Sequence, residues 1–369
     1  MKQKTAYLII AIIVIALLIF YFESTKVKPI YSEEENESNQ SLTKMIGGVE
    51  YPLAPELRGI AGYINTEEGT KISDFRGKVV LIDFWTYTCI NCIRTFPYLK
   101  EWHKKYKDKG LVIIGVHTPE FEFEKIYDNV KMATEKYGIE YRVVQDNNYA
   151  TWTVFRNRFW PRKYLIDSEG YIRYNHIGEG AYKTTENKIL ELLAEIGMKI
   201  EDMGISVIEV EKPSIIITHE LYAGYDFALP RGQNVGNIEG MQADSIVDYK
   251  LPKMIGNDII YLDGKWLNNK DDLRAQDNEL ASIILKFKAK SANIVATTET
   301  EPAILEVFID DEYVKEEIAG DDVQFEDGKA FIIINEPRLY NVIRDRNKRY
   351  NLKLTTTSKE FSFNAFTFG

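Results

Sequence analysis

The feature of this sequence that most restricts its fold is a pair of cysteines at a predicted change of secondary structure. Cys89 and Cys92 are the only two cysteines in 369 residues. An apolar run rich in β-branched residues, from Val79 to Trp85, comes before them and predicts a strand. Apolar residues at helical spacing follow from about Cys89 onward. The pattern therefore predicts two thiols in the first turn of a helix.

A cysteine pair with this spacing is compatible with three kinds of site. It can be a redox-active dithiol, half of a metal site, or a coincidence in a packed turn. A structural zinc site usually takes four protein ligands. The four histidines, which show no H-x-x-x-H grouping, are His103, His117, His176 and His219. The redox interpretation is favoured, and copper binding by Cys89, Cys92 and a histidine such as His176 stays open as an alternative.

The predicted helix terminus gives the two sulfurs different roles. Unpaired amide groups and the macrodipole at a helix N-terminus stabilise a thiolate, so Cys89 is expected to be the attacking thiol. Cys92 lies one turn further along the same face, where Cβ atoms are about 5 to 6 Å apart and a disulfide can close. We expect Cys92 to be the resolving thiol, and no cofactor beyond the redox-active Cys89–Cys92 disulfide.

An apolar segment near the amino terminus predicts a membrane anchor. Eighteen apolar or weakly polar residues run from Thr5 to Phe22, after Lys2 and Lys4. As a helix they would span roughly 27 Å, close to the thickness of the hydrocarbon core. The run ends in bulky residues and lacks the small residues of a signal-peptide cleavage site. We predict an uncleaved anchor at 5–22, a short cytoplasmic end at 1–4, and a single-pass cell-membrane protein with its other domains extracytoplasmic.

Composition divides the rest of the chain into a linker and two domains. Residues 23–45 are polar and acidic, which predicts a flexible linker. Beyond 204, short alternating runs such as SIIITHE and AFIIIN predict repeated strands without helices between them. We predict an α/β catalytic domain at 46–204 and an all-β sandwich of jelly-roll type at 205–369. The net charge of −10, with no basic run to offset it, argues against nucleic acid as a partner.

The residues around the cysteines also carry a family resemblance. The run WTYTCINC-x-RT-x-PYL, from Trp85 to Leu99, resembles the thioredoxin superfamily, and more narrowly the extracytoplasmic TlpA-like proteins and the soluble portion of DipZ-type proteins. The resemblance continues through THELYAGYDFA, YLDGKW, RLYNVI and the terminal AFTFG. It implies a thioredoxin-like domain with thiol–disulfide oxidoreductase activity, followed by a sandwich that is similar to a carbohydrate-binding module.

The resemblance implies further residues of the site. A cis-proline faces the dithiol in thioredoxin-like proteins, and Pro161 in RFWPRKYLID matches that position. Trp85, Trp160 and Pro161 are then expected to line the substrate groove. Asp83 matches the buried acid that helps to move the proton of the resolving thiol. Apolar surroundings would raise the pKa of this carboxyl group, as a proton acceptor for a thiol requires.

Two positions depart from the wider family pattern. Many TlpA-like reductases have Glu three residues after the second cysteine, where this chain has Thr95, so no acid role is carried over to that position. Trp160 stands where many relatives have a small or β-branched residue, as it does in DipZ-type sequences. The run HTPEFEFEK resembles a DipZ-type loop, in which His117 and Glu120 are candidates for the rim of the active site.

The resemblance also implies a direction of reaction and partners. TlpA-like proteins are mostly reductants, and DipZ-type proteins fuse this domain to a CcdA-like membrane electron carrier. We expect reduction of disulfides in exported proteins, in cytochrome c maturation or related thiol homeostasis, with a separate CcdA-like carrier as partner. An oxidase or isomerase stays open, because the direction depends on how well the thiolate is stabilised. A carbohydrate or protein ligand of the second domain is expected from analogy of fold alone.

Overall fold

The computed structural model describes residues 41–199, 204–206, 208, 218–276 and 279–369, with the side chains of 345–347 excepted. The anchor predicted at 5–22 and most of the linker predicted at 23–45 lie outside these residues. Within the described ranges, the structure contains no helix with the length and apolar character that a membrane crossing needs. Thr43 to Gly369 form one compact unit, in which both predicted domains take part.

A mixed six-stranded sheet organises the first domain. The hairpin β1 (Thr43–Ile46) and β2 (Val49–Pro52) precedes it, so regular structure begins within the segment predicted as a linker. The sheet contains β3 (Gly62–Ile64), β4 (Val79–Trp85), β5 (Leu111–His117), β6 (Arg142–Gln145), β7 (Arg162–Ile166) and β8 (Ile172–Ile177). Its strand order is β3-β6-β5-β4-β7-β8. The pairs β4–β5 and β5–β6 are parallel, and the remaining pairs are antiparallel.

The sheet has an apolar core on each face. Helices α1 (Ile90–Tyr106), α2 (Tyr127–Lys136), α3 (Ala150–Val154) and α4 (Tyr182–Glu195) accompany the strands. Every residue of β4 is buried, and its side chains alternate between the two cores. Val79, Leu81 and Trp85 pack with α1 and α4 on one face. Val80, Ile82 and Phe84 pack in the other core, together with Phe155. The central strand is therefore apolar except at Asp83, as expected for a sheet that is covered on both faces.

The elements around the cysteines follow the sequence prediction closely. The strand predicted from Val79 to Trp85 is observed with those bounds, and α1 begins one residue after Cys89. The residue pattern from about Glu122 to Tyr137 predicts a single helix, which the structure divides in two. A short 3₁₀ helix, Glu122–Lys125, comes first, and α2 follows after Ile126, whose backbone is extended.

The second domain is β-rich, as predicted. Its strands are β9 (Leu221–Tyr222), β10 (Ser245–Tyr249), β11 (Ile260–Asn268), β12 (Leu273–Ala275), β13 (Ala281–Thr298), β14 (Ala303–Ile309), β15 (Glu312–Tyr313), β16 (Gln324–Glu326), β17 (Lys329–Ile334), β18 (Arg338–Thr356) and β19 (Phe361–Phe368). The one-turn helix α5 (Tyr225–Ala228) lies between β9 and β10. All pairs of these strands are antiparallel.

The long strand β13 connects the parts of the second domain. One of its edges pairs with β18, while the other pairs with β11 through the first part of the strand and with β19 through the later part. The register shifts between Ala289 and Ser291, where a bulge interrupts the pairing. Changes of partner and bulges of this kind let strands pass between the layers of a β-structure. The enclosed core contains the buried side chains of Trp266, Phe287 and Tyr340.

We predict that substitutions at two neighbouring residues of β14 differ in their effect on stability, because only one of the two faces this core. Leu305 is 0% exposed, whereas Ile304 is 55% exposed on the opposite face of the strand. Leu305→Ala should lower the free energy of unfolding by about 2–5 kcal/mol, because it leaves a cavity. Ile304→Ala should change it by about 0.5 kcal/mol or less. Urea titration followed by fluorescence measures both, and equal losses would contradict the observed orientation of the strand.

Candidate active site

The two thiols lie at the junction between β4 and α1. The chain leaves the sheet at Trp85 and enters the helix at Ile90, so that Cys89 is the N-cap residue. Its sulfur accepts a hydrogen bond from the backbone N–H of Cys92, with 3.4 Å between the nitrogen and Sγ. The helix starts here because the backbone of Cys89 is extended while the following residues are helical. An amide donor therefore points at this sulfur, as the sequence predicts.

The two cysteines differ in their access to solvent. Cys89 is half-buried, Cys92 is fully buried, and both are free. Burial raises the pKa of the Cys92 thiol well above its usual value, and the hydrogen bond and charge of Cys89 raise it further. Cys89 is thus the sulfur that an external disulfide can reach, and Cys92 is protected until its partner reacts. This arrangement matches the attacking and resolving roles expected from the sequence.

Asp83 is buried in β4 beside a lysine that the sequence analysis did not identify. Burial raises the pKa of Asp83, and the nearby ammonium group of Lys163 lowers it. The Nζ atom of Lys163 lies 3.3 Å from Asp83 Oδ1, and the two residues are paired across β4 and β7. The Asp83 charge also contributes to the raised pKa of Cys92. In the sequence, the available signal for this ion pair was a lysine at the start of the predicted apolar strand KYLI.

Trp160 and Pro161, both predicted to line the substrate groove, lie in the segment that leads into β7. The Trp160–Pro161 peptide bond is cis, and Pro161 is buried directly before β7. Trp160 is half-buried and packs against the same apolar cluster as Cys89. Its indole N–H donates to the carbonyl oxygen of Thr118 at 3.1 Å, and its ring lies 4.3 Å from that of Trp152. Trp160 is therefore held in a fixed orientation by Thr118 and Trp152.

The structure corrects the prediction that Trp85 lines the substrate groove. Trp85 is 0% exposed and has no surface to offer to a substrate. Its ring packs edge-on against Phe96 and His117, with centroid distances of 5.2 and 4.9 Å. Gly115 on the neighbouring strand makes room for it, since a Cβ atom there would lie 2.8 Å from the indole nitrogen. Trp85 belongs to the core beneath the site.

The hypothesis that His117 lies at the rim of the site is also wrong. His117 is 0% exposed and stacks on Tyr87 at 5.6 Å between ring centroids. Burial lowers its pKa to about 3, so the ring is neutral at physiological pH. Glu120, the other rim candidate, is half-buried, and its carboxylate faces Tyr222 of the second domain. Among the described residues, no group of three His, Cys, Asp or Glu side chains could hold a metal ion.

Comparison with known proteins gives matches in both domains. The Redoxin family matches residues 60–193, and the family described as "Thioredoxin like C-terminal domain" matches residues 218–369. Protein DipZ of Mycobacterium bovis is 40% identical over 246 residues, which cover 66% of this chain and 34% of DipZ. The chain thus spans about a third of the length of that relative. Human NHL repeat-containing protein 2 is 37% identical over 150 residues, 40% of this chain and 21% of that protein.

A shorter relative is matched over most of its length. Thiol-disulfide oxidoreductase ResA of Bacillus thuringiensis is 30% identical over 127 residues, which cover 34% of this chain and 70% of ResA. The geometry around Cys89 and Cys92 agrees with this match, because one sulfur is reachable at a helix N-terminus and the other is enclosed behind it. The chain belongs to the thioredoxin-like family of thiol–disulfide oxidoreductases.

Proposed function

We propose that this protein reduces disulfides in exported proteins through Cys89 and Cys92. The observation that carries the proposal is the difference between the two sulfurs. Cys89 is half-buried and accepts a hydrogen bond from a helix amide, whereas Cys92 is fully buried behind it. Thiol–disulfide exchange needs one accessible thiolate to attack and a second thiol that reacts only within the mixed disulfide.

The exchange proceeds in two steps. The Cys89 thiolate attacks one sulfur of the substrate disulfide, and the other substrate sulfur leaves as a thiolate that takes a proton from water. Cys92 then loses its proton and attacks Cys89 Sγ in the mixed disulfide, which releases the second substrate sulfur. Two electrons pass to the substrate, whose disulfide becomes a dithiol, while the Cys89–Cys92 pair becomes a disulfide. A separate reductant must return the pair to the dithiol form.

Asp83 is suited to receive the proton of Cys92. A buried thiol with a raised pKa does not ionise readily, so the second step needs a nearby base. Burial raises the pKa of Asp83, which makes the carboxylate a better proton acceptor, and the nearby ammonium group of Lys163 opposes this shift. The Asp83–Lys163 pair is therefore the proton acceptor in this mechanism.

The setting of the reaction follows from the family resemblance and the sequence. An anchor at 5–22 would hold the enzyme at the outer face of the cell membrane as a single-pass protein. A CcdA-like membrane carrier would supply its electrons, and cytochrome c maturation or related thiol homeostasis would supply its substrates. The second domain, proposed as a jelly-roll sandwich similar to a carbohydrate-binding module, would bind a carbohydrate or a protein ligand. The matches to DipZ and ResA support the thiol–disulfide oxidoreductase activity on which this setting depends.

The reduction potential of the Cys89–Cys92 pair tests the proposed direction. Equilibration with glutathione buffers should give a value more negative than about −200 mV, as for cellular reductants. Cys89→Ser should abolish exchange, and Cys92→Ser should accumulate the mixed disulfide. A potential near that of strong oxidants, about −120 mV, would instead identify a thiol oxidase.

We predict that the two thiols differ in their rates of alkylation. With iodoacetamide at pH 7, Cys89 should react about tenfold faster than Cys92 or more, because the raised pKa and burial of Cys92 leave little accessible thiolate. Mass spectrometry of the labelled peptide, after short exposure of the reduced protein, distinguishes the two positions. Equal labelling of both thiols would contradict the assigned roles.

We predict that Lys163→Met moves the pH dependence of the second step upward. Without the ammonium group, the pKa of Asp83 rises further, so a higher pH is needed to ionise the base. The pH midpoint for resolution of the mixed disulfide should rise by roughly one unit. Stopped-flow measurement between pH 5 and 9, in about one-unit steps, follows this rate.

Arg162→Met is the matched control for the lysine variant. Arg162 is adjacent in β7, and its guanidinium lies 4.6 Å from the centre of the Tyr164 ring, away from the Asp83 ion pair. The pH midpoint of this variant should equal that of the unmodified protein. The same shift in both variants would show that the effect comes from disturbing β7 and not from the charge of Lys163.

A further inference from the structure

The loop that leads to Cys89 is anchored by a buried carboxylate. Thr86, Tyr87 and Thr88, which connect β4 to the N-cap cysteine, are all buried. The backbone N–H and the hydroxyl of Thr88 donate to Oε1 of Glu124 at 3.3 and 2.6 Å. The hydroxyl of Thr86 also hydrogen-bonds to this carboxylate. Glu124 is 0% exposed, so these bonds are shielded from competing water.

The other oxygen of Glu124 is bonded within its own segment. Its Oε2 atom accepts the backbone N–H groups of Glu120 and Phe121 at 2.5 and 3.0 Å. The carboxylate thus closes the start of the 3₁₀ helix Glu122–Lys125 while it holds the loop before Cys89. The two segments are 36 residues apart in the sequence at this contact. Burial raises the pKa of Glu124, and the donors to its carboxylate oppose that shift by favouring the ionised form.

The second domain holds the same segment from the opposite side. The hydroxyl of Tyr222 lies 2.7 Å from Oε1 of Glu120 and 2.9 Å from Oε2 of Glu220. The backbone N–H of Glu122 donates to Oδ2 of Asp271 at 2.6 Å. The side chain of Phe121 enters an apolar cluster with Tyr222, Ala228, Val295 and Ala365. Residues 120–124 therefore contact the catalytic loop on one side and the second domain on the other.

We propose that Glu124 is a positioning residue for Cys89, and that the second domain keeps Glu124 in place through Tyr222. Glu124 acts through Thr88 and not by contact with the reacting sulfur. A fixed loop holds Cys89 beside Cys92 and so raises their effective concentration for closing the disulfide. The proposal rests on the proposed function, because its readout is the equilibrium of the dithiol with an external thiol.

Glu124→Gln tests the first part of the proposal. The glutamine offers one acceptor oxygen, so either Thr88 or the amides of Glu120 and Phe121 lose their partner. A looser loop holds the two sulfurs together less well, which destabilises the disulfide relative to the dithiol. The variant should therefore favour the dithiol. The equilibrium constant with glutathione should move toward the dithiol by about tenfold, the change expected for a lost charged hydrogen bond.

Glu122→Gln is the matched control on the same short helix. Its side chain is exposed and pairs with Lys125 at 2.5 Å, away from the catalytic loop. Its equilibrium constant should equal that of the unmodified protein. If Glu124 only caps the 3₁₀ helix, Glu124→Gln lowers the unfolding temperature and leaves the equilibrium constant unchanged, which overturns the proposal.

Thr88 provides a second route if Glu124→Gln does not fold. Thr88→Val keeps the shape of the side chain but removes the hydroxyl that donates to Glu124, whereas Thr88→Ser keeps it. Thr88→Val should move the equilibrium constant in the same direction as Glu124→Gln, and Thr88→Ser should restore it to within about twofold. The same shift in both Thr88 variants would overturn the role of this bond.

Tyr222→Phe tests the contribution of the second domain. The variant removes the hydroxyl that donates to Glu120 and leaves the residues of the dithiol loop unchanged. It should move the equilibrium constant toward the dithiol by about threefold, the effect of one ordinary hydrogen bond. Tyr225→Phe is the control, because its hydroxyl donates to Asp244 within the second domain. An unchanged constant in Tyr222→Phe overturns the coupling between the domains.

Measurement of the unmodified protein distinguishes failure of the proposed function from failure of the positioning role of Glu124. If its dithiol does not exchange with glutathione, the proposed function fails, and the positioning role fails with it. If it exchanges but Glu124→Gln has the same equilibrium constant, the proposed function stands and the positioning role is overturned. Thermal unfolding of each variant, followed by circular dichroism, shows whether it has folded.

Discussion

The chemistry of this protein depends on one constraint, the complete burial of the junction between a central strand and the helix that follows it. Every residue of β4 and all three residues of the connecting loop are enclosed. Cys89 is the first residue after this buried stretch with surface exposed to solvent, and its sulfur accepts a hydrogen bond from the amide of Cys92. The packing beneath the junction decides which sulfur reaches solvent. Trp85 contributes to this packing from the core and not from a substrate groove.

Two buried carboxylates flank this junction, and each is compensated in a different way. An isolated buried charge is costly, so it must find a cation or several hydrogen-bond donors. Asp83 has Lys163, and burial still raises its pKa. Glu124 has two backbone amides beside it and two threonines of the catalytic loop. The first arrangement suits movement of a proton, and the second suits a fixed position.

The two domains meet at the segment that holds Glu124, which links the catalytic loop to the β-rich domain. Phe121 is buried in an apolar cluster formed mainly by residues of that domain. Hydrogen bonds at Glu120 and Glu122 lie on either side of it. The second domain therefore contacts the segment that in turn holds the loop before Cys89. This contact gives the two matched family regions, 60–193 and 218–369, a physical connection.

The sequence by itself determined the elements that depend on local pattern. The apolar run of β4, the helix after Cys89 and the β-rich second half were all predictable, because periodicity and N-terminal position are local properties. Resemblance to a known motif located Pro161 and Asp83. Tertiary structure alone decided that Trp85 and His117 are buried, that Lys163 faces Asp83, and that Glu124 bonds to Thr88. These contacts join residues far apart in the chain, and side-chain burial depends on what the whole fold places over each position.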